Sequence, residues 1–168
     1  MEGARRAGAD DIGRLVELAE EACAAVTTVR GGALLLATHP RAGSVEDFGS
    51  LLNADDHLVV AGTIDDQVVG YAVARVRRLP GGQLVGSVDD YYVEPEARGV
   101  GVGEAILNIV VEWCVQQGCA GIDAVALPGD RATKNFFESF GMVARAIIVH
   151  RSLGAPPQPP SPDDGAHG

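Results

Sequence analysis

Residues 88–103 hold the side chains with the clearest chemical use, in the order Val-Asp-Asp-Tyr-Tyr-Val-Glu-Pro-Glu-Ala-Arg-Gly-Val-Gly-Val-Gly. The β-rich run that stops at Pro95 predicts a strand, and the amphipathic pattern after Gly103 predicts a helix. The first N–H groups of a helix lack partners and lie at the positive end of its dipole. Gly99, Gly101 and Gly103 let that backbone approach a ligand closely. The pattern therefore predicts an anion site formed by backbone groups and Arg98.

Two consecutive carboxylates, Asp89 and Asp90, precede this anion site on the predicted strand. A carboxylate placed there can take a proton from a protonated amine, directly or through water. Consecutive side chains of a regular strand point to opposite faces, so only one of the two can face a given cleft unless the strand carries a bulge. The other interpretation, an acidic pair solvated at the surface of a strand, stays open.

The spacing of the glycines separates this turn from better-known ones. It is not the Gly-x-Gly-x-x-Gly of a dinucleotide fold, and no Gly-Lys-Ser/Thr follows as in a P-loop. It matches Arg-x-x-Gly-x-Gly preceded by Val-x-Pro, and so it resembles the pyrophosphate-binding motif of the GNAT superfamily of N-acetyltransferases. The resemblance implies acetyl-CoA as co-substrate, with its pyrophosphate bound by Arg98, Gly99, Val100, Gly101, Val102 and Gly103. A flexible loop whose glycines only turn the chain is the alternative.

The tract Val-Asp-Asp-Tyr-Tyr-Val resembles the Leu-Glu-Asp-aromatic-aromatic-Val stretch of the polyamine branch of that superfamily. By this resemblance Asp89 takes the place of the glutamate base. The backbone around Tyr92 and Val93 would pair with the pantetheine arm of the cofactor as one more strand does. The branch also suggests a primary amine on a small, cationic molecule as acceptor.

Near the C-terminus, Asn135-Phe136-Phe137 followed by Gly141 resembles the stretch in which a family tyrosine protonates the leaving thiolate. Here Phe137 stands in that position and has no proton to give. A thiol pKa near 8.5 means that leaving as a thiolate forgoes only about 2 kcal/mol, so Tyr91, Tyr92 or a water is expected to substitute. Asp130 stands where an asparagine is common, and it is predicted with Phe137 to contact the cofactor.

The remaining pattern predicts the elements that position these residues. We expect strands over residues 2–6, 57–64, 68–76, 83–93, 121–127 and 142–151, with helices after Asp10-Asp11, after Ser44, after Gly103 and after Asp130. Short turns make the early strands antiparallel, whereas a strand-helix-strand unit after residue 93 makes the later pair parallel. The predicted fold class is α/β (an α+β mixed sheet) with flanking helices, as in a GNAT-like fold covering residues 1–153.

The charge composition of the chain limits the classes of molecule that it is expected to bind. The 168 residues include 13 Lys and Arg against 23 Asp and Glu, a net charge of −10. Such a field repels nucleic acid and anionic membranes and attracts a cationic small molecule or a basic peptide. No apolar run is long enough to span a bilayer, and the first residues lack the apolar segment of a signal peptide, so a cytoplasmic location is expected.

Three cysteines without metal-ligand spacing predict neither a metal site nor a disulfide framework. Residues 154–168 contain five of the nine prolines and no large apolar residue, which predicts a disordered tail. Family members often dimerise, which makes a homodimer an expectation that no sequence feature locates. The predicted function is acetyl transfer to a primary amine, and the alternatives are a protein or peptide N-acetyltransferase and a non-catalytic acyl-CoA-binding module.

Overall fold

One five-stranded sheet organises the protein, and its strands lie in sequence order. The computed structural model describes residues 1–154. Its strands are β1 (Glu2–Arg6), β2 (His57–Ile64), β3 (Gln67–Arg78), β4 (Leu84–Val93) and β5 (Ile122–Ala124). The first four strands pair antiparallel, and β5 pairs parallel to β4. This mixed sheet with flanking helices confirms the predicted fold class.

Five helices cover the two faces of this sheet within residues 1–154. They are α1 (Ile12–Thr27), α2 (Gly32–Thr38), α3 (Val45–Leu52), α4 (Val102–Gln116) and α5 (Arg131–Ser139). Helices α1 and α3 bury Leu18 and Phe48 against Tyr71 on one face of the sheet. Helix α4 buries Ile106 and Val110 on the opposite face. Apolar burial on both faces fixes the sheet between two layers of helix.

Turn chemistry sets the early part of the sheet. Asp65 and Asp66 join β2 to β3 with φ values of 47° and 67°, as a two-residue hairpin turn requires.

Ser44 begins α3 as predicted: its Oγ accepts the N–H of Asp47 at 3.1 Å, and Asp47 Oδ2 accepts the N–H of Ser44 at 3.1 Å. These local bonds fix the start of α3, whose Phe48 packs on the sheet.

The connection from β4 to α4 contains two glycines with positive φ values. Gly99 and Gly101 have φ values of 75° and 101°, in a region that side chains other than glycine rarely adopt. Gly101 directly precedes the first residue of α4. The strand therefore passes into the helix through a turn whose two left-handed positions are occupied by glycine.

Two predictions about the C-terminal part were wrong. Strand β5 spans three residues instead of 121–127, and residues 142–151 form no strand. In that segment Val143, Ile147, Ile148 and Val149 are each at least 81% exposed. A strand needs a neighbouring strand to pair its backbone, and the short β5 offers little edge for it. Apart from Gly154, the predicted tail lies outside the described residues.

Candidate active site

A bulge in β4 brings the two predicted carboxylates to one face of the sheet. Val73 of β3 lies opposite Asp90, and the next residue of β3, Ala74, lies opposite Val88. Asp89 is therefore the extra residue of the bulge. The contacts of Asp89 and Asp90 both lie on the α1 side of the sheet, whereas Val88 packs on the α4 side. A bulge was the condition under which both carboxylates could lie on one face, and the structure shows such a bulge.

Asp90 is the buried member of the pair. It accepts the hydroxyl of Tyr71 at 2.5 Å and the N–H of Tyr91 at 2.9 Å, and Nη1 of Arg41 lies 2.7 Å from its Oδ1. Its side chain is 3% exposed. Burial raises the pKa of Asp90, and the Arg41 guanidinium and the Tyr71 hydroxyl oppose that shift by favouring the ionised form. An incoming molecule cannot reach this carboxylate without displacing one of its partners.

Asp89 is the accessible member, with 33% of its side chain exposed. Its Oδ1 accepts the hydroxyl of Ser87 at 2.6 Å, and Nε of Arg75 lies 3.0 Å from its Oδ2. Both partners come from the paired positions next to the bulge, since Arg75 lies opposite Ser87. The carboxylate is thus oriented by two strands while part of it faces solvent, as a group that must accept a proton from a bound molecule requires.

Past the bulge, one edge of β4 has no strand beside it. Pairing with β5 is limited to Gly86, Ser87 and Val88, so residues 89–93 present backbone groups on that side without a neighbouring strand among residues 1–154. The predicted cofactor contacts of Tyr92 and Val93 lie on this edge. The Tyr92 side chain points to α1, where its hydroxyl donates to Glu21 at 3.2 Å, so the edge offers the backbone of this residue to a ligand.

The turn that follows leaves its backbone donors free. Among residues 1–154, no backbone acceptor receives the N–H groups of residues 99–103, and the first such bond of the helix is from Ala105 to the carbonyl of Gly101. These donors lie at the positive end of α4. The side chain of Val100 is exposed and that of Val102 is buried in the core, so both valines can meet an anion only through their N–H groups.

Arg98 is held beside this turn. Its Nε donates to the carbonyl of Val93 at 2.8 Å, and its guanidinium carbon lies 5.8 Å from the centre of the Tyr92 ring. The other two guanidinium nitrogens donate to no atom within residues 1–154. One end of the side chain is therefore fixed to the strand, and the other end remains able to bind a phosphate oxygen.

Helix α5 contributes aromatic side chains instead of a hydroxyl. Phe137 is buried, and its ring centre lies 5.8 Å from that of Tyr91. Asp130 caps its own helix, accepting the N–H of Thr133 at 3.1 Å and the Thr133 hydroxyl at 2.6 Å. Both carboxylate oxygens of Asp130 are thus bonded to Thr133 within α5. The contact between Asp130 and the cofactor stays a prediction.

Three residues around the carboxylates were not predicted. Arg41 comes from the irregular segment between α2 and α3, where the sequence pattern is weak. Tyr71 comes from the middle of β3 and Ser87 from β4, and each reads in sequence as an ordinary strand residue. A polar residue within an otherwise apolar strand was the only available signal. Within residues 1–154, no group of three or more His, Cys, Asp or Glu side chains is arranged to hold a metal ion.

The fold and site define an α/β domain with unpaired backbone N–H groups at the start of α4 and a partly exposed carboxylate on the preceding strand. The sequence profile of the Acetyltransferase (GNAT) family matches residues 15–142. The chain belongs to this family, which confirms the resemblance seen in residues 88–103. None of the helices within residues 1–154 is long and apolar enough to cross a bilayer.

Relatives and solved structures extend the comparison. The aminoglycoside N(6')-acetyltransferase type 1 of Stenotrophomonas maltophilia is 35% identical over 74 residues, which cover 42% of this chain and 48% of that protein. The match thus spans about half the length of that relative. A protein from Bacillus halodurans is 17% identical, covers 89% of this chain and 99% of its own, and has a TM-score of 0.77. The aminoglycoside N-acetyltransferase AAC(6')-Iy in complex with CoA is 18% identical, covers 92% and 96%, and has a TM-score of 0.70.

Proposed function

We propose that residues 1–153 form a domain that transfers the acetyl group of acetyl-CoA to a primary amine of a small, cationic molecule. One observation carries the proposal. The accessible carboxylate of Asp89 lies on a bulge at the start of the free edge of β4, and that edge leads directly to the unpaired N–H groups of residues 99–103. A cofactor bound along this edge would bring its thioester close to the carboxylate.

The chain has suitable groups for the pyrophosphate and for the extended arm of the cofactor. Backbone donors of residues 99–103 and the free nitrogens of Arg98 suit a pyrophosphate. The unpaired edge at residues 89–93 suits an extended amide-containing arm, which would pair with it as a strand pairs. At about 3.3 Å per residue, residues 89–93 provide roughly 13 Å of such an edge. When bound, the cofactor supplies a thioester whose carbonyl carbon is open to attack by an amine.

Asp89 prepares the amine for that attack. An alkylamine with a pKa near 10.4 is almost entirely protonated at neutral pH and has no lone pair to offer. Asp89 accepts one of its protons, directly or through water, while Ser87 and Arg75 hold the carboxylate in place. Asp90 cannot take this role directly because its oxygens are buried and bonded. Its part is to hold Arg41 and Tyr71 against the bulge.

Charge and the comparisons support a cationic acceptor. The net charge of −10 and the exposed carboxylate both favour a molecule that carries several amines. Two of the similar proteins are aminoglycoside N-acetyltransferases. Aminoglycosides and polyamines are accordingly the two acceptor classes that we propose, and we propose that the chain works as a homodimer, as family members often do.

Phe137 favours one other function. Because this side chain offers no proton, a non-catalytic acyl-CoA-binding module is the second candidate. Release of free thiol from acetyl-CoA over a panel of polyamines, aminoglycosides, amino acids and basic peptides separates the two. Release with a small cationic amine supports the proposal, and release with peptides alone identifies a protein-modifying enzyme instead. Binding of acetyl-CoA in calorimetry without release for any amine would establish the module.

A further inference from the structure

Two of the three cysteines lie at the two ends of the turn that closes α4. The helix ends at Gln116, and Gly118 follows with a φ of 77°. The N–H of Cys119 donates to the carbonyl of Cys114 at 2.9 Å. The N–H of Gly118 donates to the carbonyl of Val115 at 3.0 Å. These two bonds define a Schellman motif, in which a left-handed residue reverses the chain after a helix.

The motif makes the two cysteines neighbours. A contact between the side chains of its first and sixth residues commonly accompanies a Schellman motif. Here these residues are Cys114 and Cys119, and both side chains pack into the core between α4 and the sheet. Burial raises the pKa of Cys114 to about 12, and the nearby thiol of Cys119 adds to this shift. Backbone bonds thus hold the two cysteines side by side before any covalent link joins them.

The two thiols differ in their access to solvent. All three cysteines of the chain are free, and Cys119 is half-buried. Cys114 is only 1% exposed, and its sulfur packs so closely on Gly86 of β4 that an added Cβ there would lie 2.5 Å from it. A water-borne oxidant therefore reaches Cys119 first, and Cys114 lies behind it as the second thiol.

We propose that Cys114 and Cys119 form a disulfide when the protein meets hydrogen peroxide. First, the sulfur of Cys119 attacks one oxygen of the peroxide, the O–O bond breaks, and a sulfenic acid and one water form. The sulfur of Cys114 then bonds to that of Cys119 and the S–O bond breaks. The hydroxyl leaves as water with the thiol proton of Cys114. Two thiols are thereby oxidised by two electrons, and one peroxide is reduced to two waters.

Proximity favours the second step, and burial slows it. The raised pKa of Cys114 keeps its thiol protonated at neutral pH, and a protonated thiol is a weak nucleophile. The reaction is nevertheless intramolecular, so the effective concentration of this thiol at Cys119 is high. The link protects Cys119 from oxidation to a sulfinic acid, which thiols do not reverse. A disulfide, in contrast, is returned to two thiols by exchange with a reductant.

The cysteine pair lies apart from the candidate active site. Helix α4 has 15 residues, with the anion turn at its start and the two cysteines at its end. At 1.5 Å per residue, roughly 22 Å separate these two ends. The inference is therefore independent of the proposed function and is tested without acetyl transfer.

Oxidation with one equivalent of hydrogen peroxide, followed by mass spectrometry of tryptic peptides, tests the inference. No Lys or Arg lies between Arg98 and Arg131, so trypsin leaves both cysteines in the peptide 99–131. Cys23 falls in the separate peptide 15–30. We expect the peptide 99–131 to lose two hydrogens and to resist alkylation until a reductant is added, while Cys23 is alkylated throughout.

Two serine variants are matched controls for this experiment. Cys23→Ser keeps both partners, so we expect the peptide 99–131 to lose two hydrogens as in the wild-type chain. Cys119→Ser removes the thiol that meets the oxidant first, and we expect Cys114 to remain a free thiol in it. Loss of two hydrogens in wild type and in Cys23→Ser, but not in Cys119→Ser, supports the inference. A bond that includes Cys23, or one between two copies of the chain, would overturn it.

The thermal midpoint gives a second readout. A cross-link restricts the unfolded chain, so we expect the oxidised protein to melt about 2–8 °C above the reduced one. A lower midpoint after oxidation would overturn the inference, because the turn would then have to distort to form the bond. A sulfinic acid at Cys119 beside a free Cys114 would overturn it as well, since the second thiol would have failed to react.

Discussion

Asp89 and Asp90 are consecutive residues of β4, yet both side chains have their partners on the same face of the sheet. Their environments nevertheless differ, because 33% of the Asp89 side chain is exposed and only 3% of the Asp90 side chain. Two identical carboxyl groups thereby acquire different properties from position alone. Asp89 is therefore the carboxylate to which we assign the role of base in the proposed function, and Asp90 is held in an internal network.

Asp89→Asn is the direct test of the base. The amide keeps the size of the side chain but cannot accept a proton from the amine, so we expect kcat to fall by about 10² to 10⁴. Acetyl-CoA affinity is expected to remain, because the anion turn is untouched. Glu112→Gln is the matched control, since it removes one exposed carboxylate from α4. Unchanged turnover of Asp89→Asn across about pH 6 to 9 would show that Asp89 is not the base.

Arg41→Gln tests the internal network. It leaves the buried Asp90 carboxylate without its cation, and breaking such a pair typically destabilises by about 3 kcal/mol or more. Unfolding in urea measures the change in the free energy of unfolding. Arg30→Gln, at an exposed position, is the control. Equal free energies of unfolding for the two variants would mean that the Arg41–Asp90 pair contributes nothing.

Asp90 also predicts how stability changes with pH. Because its folded-state pKa is raised, the folded protein binds this proton more tightly than the unfolded chain does. The contribution of Asp90 to stability is fully present below its pKa in the unfolded chain. It is lost as the pH rises through its pKa in the folded protein. Removing Arg41 raises the folded-state pKa of Asp90 further. We therefore expect the loss of unfolding free energy in Arg41→Gln to be smaller at about pH 5 than at about pH 8. A deficit that is constant with pH would contradict the assignment.

Gly101→Asp tests the anion turn. Residue 101 has a φ of 101°, which strains any side chain, and a carboxylate there would repel a phosphate at the N-terminus of α4. We expect acetyl-CoA binding to disappear in calorimetry while circular dichroism shows a folded protein. Gly81→Asp adds the same charge to an exposed turn, at a residue where a Cβ meets nothing within 4 Å, and is expected to bind normally. Retained affinity in Gly101→Asp would exclude this turn as the anion site.

Gly62→Ala tests the packing of α4 on the sheet. A Cβ at Gly62 would come within 2.5 Å of Cδ1 of Ile106 and 2.7 Å of Cγ1 of Val102. We expect overpacking to lower the free energy of unfolding by about 1–3 kcal/mol. Gly49→Ala lies in α3 with nothing within 4 Å of the new Cβ, and there we expect a gain of about 0.5–1 kcal/mol. Effects of the same sign in both variants would contradict this packing.

Sequence patterns predicted the parts of the fold that depend on local chemistry. The β2–β3 hairpin and the Ser44 cap follow from residues within a few positions of one another. The strand predicted at 142–151 failed because its β-branched residues specify an extended chain but cannot supply the second strand with which it must pair. Strand formation is decided by the neighbour, which is not visible in a local pattern.

The candidate site was predictable along one stretch and not across the sheet. Residues 88–103 carry the carboxylates and the glycine turn in sequence order, so the spacing was sufficient to group them, and their roles in binding and catalysis stay predictions. The position of the bulge depends on the register between β4 and β3. The ion-pair partner of Asp90 is Arg41, which lies 90 − 41 = 49 residues earlier in the chain. Such contacts are set by tertiary packing, and no pattern near Arg41 indicates them.

The parting of β4 from β5 after Val88 has a consequence for hydrogen–deuterium exchange. A strand inside a sheet normally protects all of its amides, but those of residues 89–93 that point away from β3 have no strand to protect them. Deuterium uptake along this strand is therefore expected to alternate between slow and fast residues. A cofactor arm lying on the edge would slow the fast ones, so the exchange pattern reports occupancy directly, without any acceptor and without turnover.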